Sequence, residues 1–553
     1  MTAYEPVIGL EVHVELKTAT KIFCSCSTDF GAPPNTQVCP ICLGMPGVLP
    51  VLNRRVVEYA LRAALALGCE VEPASQFARK NYFYPDLPKG YQITQYERSY
   101  AYRGHLDIEA DGTSRRVGIT RINIEEEAAK SFHGTRGPGG AGESYAPPRP
   151  SPDSPESAAG GGDEGEGYSL VDFNRGGVPL IEIVSEPDLR SPEEARAYLI
   201  KLRNLLLYTG ISDCKMQEGS LRCDANVSLR PVGQEQLGNL VELKNMNSFR
   251  SVVRGLEYEI KRQTAVLEGG GRVARETRGW DEGRGATFSM RSKEQSDDYR
   301  YFPEPDLVLL RVDQAWLDRV GAEMPALPEA RLRRMTQEQG LSEYMAGVIG
   351  ADPLMAAFFD ECVKLQGAGA GAGGGEGAAG VGGAITPAAL ANWITGDLAR
   401  LANAEGVEFD ALPVGPEHLV DLLRLVDAGR ISGKMAKNLL EECWRAGQAG
   451  EAGQAGQAGQ VGKAEQSGKD RPVAPLPSAI ARGKGLEQVS DEGEVARIVA
   501  SVLSGNGEAV ASYHAGKDKA LGFLVGQVMK ASRGRANPAL VNRLVREALG
   551  ARS

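Results

Sequence analysis

Three stretches that cannot form a core cut this 553-residue chain into pieces and limit how many folded bodies it can build. The first, residues 137–167, reads GPGGAGESYAPPRPSPDSPESAAGGGDEGEG. The second, around 367–383, is almost entirely Gly and Ala, and the third, 447–462, repeats Ala-Gly-Gln. Such segments bury too little apolar surface to offset the entropy of ordering, so all three are expected to be loops or linkers. A three-residue period is also too short for a supersecondary repeat. The chain as a whole is 42% apolar, enough for several cores of ordinary size.

Hydrophobic period tells the blocks apart. SLRCDANVSLR alternates, with Leu221, Cys223, Ala225, Val227 and Leu229 facing one way and Arg222, Asp224, Asn226, Ser228 and Arg230 the other. That is a strand with one buried and one polar face. SPEEARAYLIKLRNLLLYTG predicts a helix with Ser191 as N-cap, Pro192 at the first position, Glu194 closing a capping box and Gly210 as the left-handed stop. After residue 308 the helical period takes over, in PEHLVDLLRLVDAGRISGKMAKNLLEECW and GKDKALGFLVGQVMKASRGRANPALVNRLVREAL. The expected fold class is α+β: a mixed α/β domain over 1–308, an all-helical domain over 309–446, a linker over 447–482 and a small helical tail over 483–553.

The N-terminus MTAYEPVIGLEVHVELK has no basic head and apolar core of a signal peptide, and no stretch has the apolar length of a membrane span. A cytoplasmic protein without membrane attachment is expected. Nine cysteines in that setting argue against a disulfide framework. Cys24 and Cys26, then Cys39 and Cys42 in CPICLG, are spaced as two thiolate pairs on tight turns, which suits a structural zinc with no open position. The formal charge of −10 argues against sequence-independent coating of nucleic acid, yet residues 505–553 carry eight basic and three acidic side chains. Lys517, Lys519, Lys530, Arg533 and Arg535 are the candidate contacts to nucleic-acid phosphates there.

Carboxylates supply the second site candidate. Period two places Glu11, His13 and Glu15 on one face of IGLEVHVELK, opposite Ile8, Leu10, Val12 and Val14. Alone, that pattern equally describes a solvated polar strand face. VGITRINIEEEAAK adds Glu125, Glu126 and Glu127, and LIEIVSEPD sets Glu182 in an apolar run, where a carboxylate is costly unless paired, metal-bound or on the outside of an edge strand. Lys80 and Lys89 lie among tyrosines in RKNYFYPDLPKGYQITQYE and suit neutralisation of phosphate charge, or are plain surface charges on a Pro-rich loop. No GxxxxGK[ST] phosphate loop and no GxSxG nucleophile elbow occurs.

The runs IGLEVHVEL, YFYPDLPKGYQI, VDFNRGGVPLIEIVSEPD, KMQEGSLRCDANVSLRP, ELKNMNSFRSVVRGLEYEI and SDDYRYFPEPDL, in that order, resemble the B subunit of the Glu-tRNA(Gln)/Asp-tRNA(Asn) amidotransferases. DEGEVARIVASVL, YHAGKDKALGFLVGQVMK and RANPALVNRL resemble the YqeY-type tail of that subunit. The resemblance implies a catalytic cradle followed by helical and tail domains, in a heterotrimer with an amidase subunit (A) and a small subunit (C). It implies ATP-dependent phosphorylation of the side-chain carboxylate of misacylated Glu-tRNA or Asp-tRNA, displaced by ammonia from the amidase. Glu11, His13, Glu182 and one or both of Glu125 and Glu126 would be the magnesium ligands, with Lys80 and Lys89 as the cationic wall. The competing expectation is a zinc-bearing tRNA-binding scaffold with catalysis in a partner. A carboxylate-rich face discriminates between them, since acids repel tRNA.

Overall fold

The computed structural model describes residues 3–134, 168–292, 299–368, 385–455, 474–485, 492–515, 517, 519–532, 536 and 538–550. Contacts divide the chain into two units, 1–328 and 329–553. The insertion at 137–167 lies outside the described residues. So do Arg533, Arg535 and nearly all of the Gly/Ala stretch at 367–383.

The first unit is built on a nine-stranded sheet. In chain order its strands are β1 (Tyr4–Glu15), β2 (Glu70–Val71), β3 (Ala101–Ala110), β4 (Thr113–Glu126), β5 (Pro179–Ser185), β6 (Leu221–Pro231), β7 (Val241–Lys244), β8 (Glu276–Asp281) and β9 (Ala286–Ser292). Across the sheet they run β9-β8-β7-β6-β1-β5-β4-β3-β2. Every neighbouring pair is antiparallel except β7 and β8, which are parallel. A parallel pair needs a crossover, and helix α3 (Phe249–Glu268) supplies it.

The core lies on one face of this sheet. There α1 (Arg54–Ala66), α2 (Pro192–Thr209) and α3 pack onto Ile8, Leu10, Val12 and Val14 of β1 and onto the alternating apolar residues of β4, β5 and β6. Each of those four β1 side chains is at most 1% exposed, and burying one contributes roughly 1.5–3 kcal/mol. Helix α2 begins as its sequence predicts, with Ser191 Oγ accepting from Glu194 N at 3.1 Å and Gly210 closing it at φ 70°. Its Glu194 carboxylate reaches back to Arg190 N at 2.7 Å, one residue before the position a capping box would use. A fourth helix, α4 (Gln314–Ala322), belongs to this unit because Val320 and Leu317 join the same core next to α1.

The helices leave the opposite face of the sheet free for polar side chains. A three-stranded sheet of Arg300–Pro303, Phe77–Asn81 and Tyr91–Gln95 brings Thr94 and Gln92 onto one of its acids, Glu125. A further ladder, Lys130–Gly134 with Tyr168–Asp172, pairs Gly134 with Tyr168. One sequence alternative is settled by the topology. The strand carrying Glu182 is not an edge strand: β5 sits between β1 and β4, where both of its sides are paired.

Every named element among the described residues of the second unit is a helix. The two helices expected around Gly429–Ser432 are Pro416–Asp427 and Gly433–Ala455. The latter ends at Ala455, so residues 447–455, expected as linker, are helical: Ala and Gln extend a helix once it is nucleated, despite the intervening glycines. The tail packs Val495, Val499, Leu524, Val528, Val541 and Val545 into a core of its own.

Candidate functional site

Strand register decides what meets on the polar face. Residue His13 stands opposite Glu182 on β5 and opposite Arg222 on β6, while Glu11 stands opposite Asp224. Glu182 in turn stands opposite Asn123 on β4, and Glu125 is two residues further on the same face. The acids are thus brought together from four adjacent strands. His13 Nε2 lies 3.6 Å from Glu11 Oε1 and 3.8 Å from Glu182 Oε1. Two triads, Glu11–His13–Asp224 and His13–Glu125–Glu182, each place their donor atoms within 4.8 Å of one another, and His13 belongs to both.

The electrostatics of this face are those of crowded, poorly solvated acids. Burial pushes the Glu11 carboxyl up to about 8, and the Glu182 charge adds to it. Burial likewise raises Glu125 and Glu182, each aggravated by neighbouring carboxylates. Residue His13 is held well below its ordinary range by burial and then by the Arg222, Lys244 and Lys80 charges around it. A histidine held toward its neutral form beside crowded carboxylates offers donor types that a divalent ion accepts. The donor set fits a magnesium-type ion: mostly carboxylate oxygen, with one nitrogen as the less usual member. Ligands about 2.1 Å from a shared octahedral centre lie roughly 3.0 Å apart when adjacent and about 4.2 Å when opposite, and the His13 distances fall between these values.

Glu125 and Glu126, both offered by the sequence, point in different directions. Glu125 is on the polar face, where Thr94 Oγ1 donates to it and Gln92 Nε2 lies 3.2 Å away. Glu126 points elsewhere: it accepts from Lys89 Nζ at 2.6 Å and from Ile93 N at 2.7 Å. Lys89 is therefore brought to Glu126 and not to the acid face. Lys80 sits on the Phe77–Asn81 strand, 5.0 Å from the Tyr299 ring centre, and its charge acts on both His13 and Glu125.

Sequence reasoning had not connected Asp224, Arg222, Lys244 and Arg175 with this site. Asp224 and Arg222 fall on the polar face of their strand by period alone, but the pairing of that strand with β1 was not legible. Lys244 Nζ holds Asp224 and lies 3.1 Å from Glu242. Arg222 donates to Glu127, which also lies 3.2 Å from Arg175. Arg175 Nε donates to Glu15 at 3.1 Å.

The four cysteines converge as their spacing predicts. All four sulfurs lie within 4.8 Å of one another, and Cys39 and Cys42 are 3.9 Å apart. A tetrahedral zinc with bonds of about 2.3 Å needs sulfurs roughly 3.8 Å apart, so the residues fit that ion. A hydrogen bond from the Cys24 thiol, the Cys39 backbone N–H and the Lys21 charge hold the Cys42 thiol below its ordinary range. The knuckle touches the Lys89 segment closely. At Gly44, φ is 64°, and a Cβ there would lie 2.4 Å from Lys89 Cγ. A cavity of about 130 Å³ between them is lined by Lys21, Cys24, Cys42, Met45, Lys89 and Glu126.

In the second unit Lys517, Lys519 and Lys530 are exposed, the last two at opposite ends of the helix Lys519–Ala531. Among the described residues, no helix is long and apolar enough to cross a membrane.

A mixed sheet covered by helices on one face, and carrying an acid–histidine cluster on the other, defines the class: an α+β domain with helical extensions. The family model described as "GatB/GatE catalytic domain" matches residues 6–318, and that described as "GatB domain" matches 378–549. The chain is 52% identical over 548 residues to the aspartyl/glutamyl-tRNA(Asn/Gln) amidotransferase B subunit of Moorella thermoacetica, covering 99% of this chain and 100% of that one. It is 50% identical over 549 residues to that of Carboxydothermus hydrogenoformans, covering 99% of each, and 48% identical over 542 residues to that of Geotalea daltonii, covering 98% of each. The chain belongs to the family of aspartyl/glutamyl-tRNA amidotransferase B subunits, components of a multi-subunit enzyme.

Proposed function

We propose that this chain activates the side-chain carboxylate of misacylated Glu-tRNA(Gln) or Asp-tRNA(Asn) with ATP, in a complex whose amidase subunit supplies ammonia and whose small third subunit completes a heterotrimer. One observation carries the reading: Glu11, His13, Glu125, Glu182 and Asp224 converge on one sheet face, with Lys80, Arg222 and Lys244 around them. A carboxylate resists ammonia because its leaving group would be an oxide. Transfer of the γ-phosphoryl group of ATP to a carboxylate oxygen releases ADP. Ammonia then attacks the carbonyl carbon, and inorganic phosphate departs with the bonding electrons as ammonia's surplus proton is lost.

The residues needed for such a transfer are few, since phosphoryl transfer is governed by positioning and charge. Glu11, His13, Glu125, Glu182 and Asp224 would hold magnesium, which supplies charge neutralisation to the phosphates when bound. Lys80 and Arg222 add fixed positive charge beside the acids. Cys24, Cys26, Cys39 and Cys42 would hold zinc as a structural brace for the segment packed on Lys89. The exposed lysines Lys517, Lys519 and Lys530 would contact tRNA phosphates, and the complex would work in the cytoplasm.

The test is Glu182→Gln and Glu11→Gln in the assembled complex, with two activities read on the same preparation. tRNA-dependent ATP cleavage and amidation are expected to fall by at least about a hundredfold, the scale of losing a key electrostatic group. Glutamine hydrolysis is expected to persist, because that chemistry belongs to another chain. Full ATP-dependent amidation in both variants would overturn the assignment and favour the scaffold reading.

A further inference from the structure

Among the described residues, Asn123 is a buried polar side chain that is neither acid nor histidine and yet touches the cluster. Asn123 is 4% exposed and stands directly opposite Glu182 in the β4–β5 ladder. Its Nδ2 donates to Glu182 Oε2 at 2.9 Å. Its Oδ1 is buried and has no protein partner. The other oxygen of the same carboxylate, Glu182 Oε1, faces His13 Nε2 at 3.8 Å. The two oxygens of Glu182 are therefore differently employed: Oε2 is tied to a neutral donor, while Oε1 is directed to the centre of the His13–Glu125–Glu182 triad.

We infer that Asn123 is a positioning residue for the metal-dependent step, fixing Glu182 so that Oε1 faces the ion and offering Oδ1 as an acceptor to an ion-bound water. This rests on the reading of the acid face as a divalent-ion site. The physical argument has three parts. A carboxylate can rotate about its last bond, and in a crowded acid cluster repulsion from Glu125 would turn it away. A neutral amide donor restrains that rotation without adding charge, whereas a lysine or arginine at this position would compete with the ion for the carboxylate. A buried carbonyl oxygen without a partner is destabilising, so its retention beside the cluster is explained if a donor reaches it when the site is filled. Magnesium keeps several of its waters, and such waters are donors.

The nearest charged alternative does not replace this contact. Arg121 Nε is 4.0 Å from the same Oε2 and its side chain is 40% exposed, so it is a looser and more solvated neighbour. Strand period explains why the sequence supplies all three groups here, since Arg121, Asn123 and Glu125 share one face of β4.

The experiment uses the assembled complex and Mn²⁺ as the probe, with binding read by electron paramagnetic resonance and no ATP present. Asn123→Ala is expected to weaken Mn²⁺ binding by 10- to 100-fold, the range seen when partners of metal ligands are removed. Asn123→Asp, which replaces the donor by an acceptor of the same shape, is expected to leave Glu182 unrestrained and to give a different Mn²⁺ spectrum. In ATP cleavage, Asn123→Ala is expected to raise the Mg²⁺ concentration needed for half-maximal rate, with most of kcat recovered at saturation. Unchanged Mn²⁺ affinity in Asn123→Ala, with weakened affinity in Glu182→Gln, would overturn the role of Asn123 alone. Unchanged affinity in Glu182→Gln as well would overturn the ion-site reading on which it rests. Thermal melting of each variant separates loss of binding from loss of fold.

Discussion

Glu125 and Glu126 are neighbours in sequence with opposite surroundings, and exchanging each for glutamine is expected to break different things. Glu125→Gln removes a carboxylate from the acid face while keeping its shape and its contacts with Thr94 and Gln92. The expected loss is at least about a hundredfold in tRNA-dependent ATP cleavage, or about 2.7 kcal/mol of transition-state stabilisation. Stability should change little or rise, since one of several mutually repelling buried acids has been neutralised. Glu126→Gln acts the other way. The Lys89–Glu126 pair is only 13% and 6% exposed at its two side chains, and Ile93 N shares the same carboxylate. Removing the charge leaves the Lys89 ammonium buried without its counter-ion, a change that costs on the order of 3–5 kcal/mol. The unit should melt several degrees lower, while divalent-ion binding at the acid face should remain within about twofold. The pair Glu126→Gln and Lys89→Met should recover part of the lost stability, because the uncompensated charge goes with it. The assays are Mn²⁺ binding and thermal melting on all four proteins. Loss of Mn²⁺ binding in Glu126→Gln equal to that in Glu125→Gln would refute the division of roles read from their directions.

Three further outcomes are expected. Elemental analysis should find about one zinc per chain, and Cys39→Ser should lose it together with local stability around the cavity, leaving more thiols reactive; a metal-free protein of unchanged melting temperature would reject the zinc knuckle. Replacing Lys517, Lys519 and Lys530 together by Glu should weaken tRNA binding and reduce the salt dependence of affinity by about one unit of slope per lost phosphate contact, with little effect on rate at saturating tRNA; an unaltered salt slope would leave the tail a packing role. Glu259, fully buried, accepts from Gln263 at 2.9 Å and from Arg262 at 2.6 Å and lies 3.6 Å from Arg278, so Glu259→Ala should cost about 3–5 kcal/mol in denaturant unfolding; a change under about 1 kcal/mol would show that this network is not a stabilising one.

Much of the local structure was written in the sequence. Period two in IGLEVHVELK and SLRCDANVSLR assigned the buried and polar residues of β1 and β6, because side-chain alternation is a property of the strand itself. The cap at Ser191 and the stop at Gly210 marked the ends of α2, since both act through backbone groups within a few residues. The four-cysteine spacing marked a knuckle for the same local reason, and the ordered runs of family motifs pointed to the class of enzyme. Which polar residues would meet was decided elsewhere. Asp224 joins Glu11, and Arg222 joins His13, only through the register of β6 on β1, strands far apart in the chain. The interior place of β5 turned Glu182 from a plausible surface carboxylate into a buried one beside Asn123. Glu125 and Glu126 look alike in sequence, and what separates them is that one lies on the acid face under Thr94 while the other is drawn to Lys89. Cross-strand register and sheet order arise from burying the whole apolar face at once, so no short window of residues contains them.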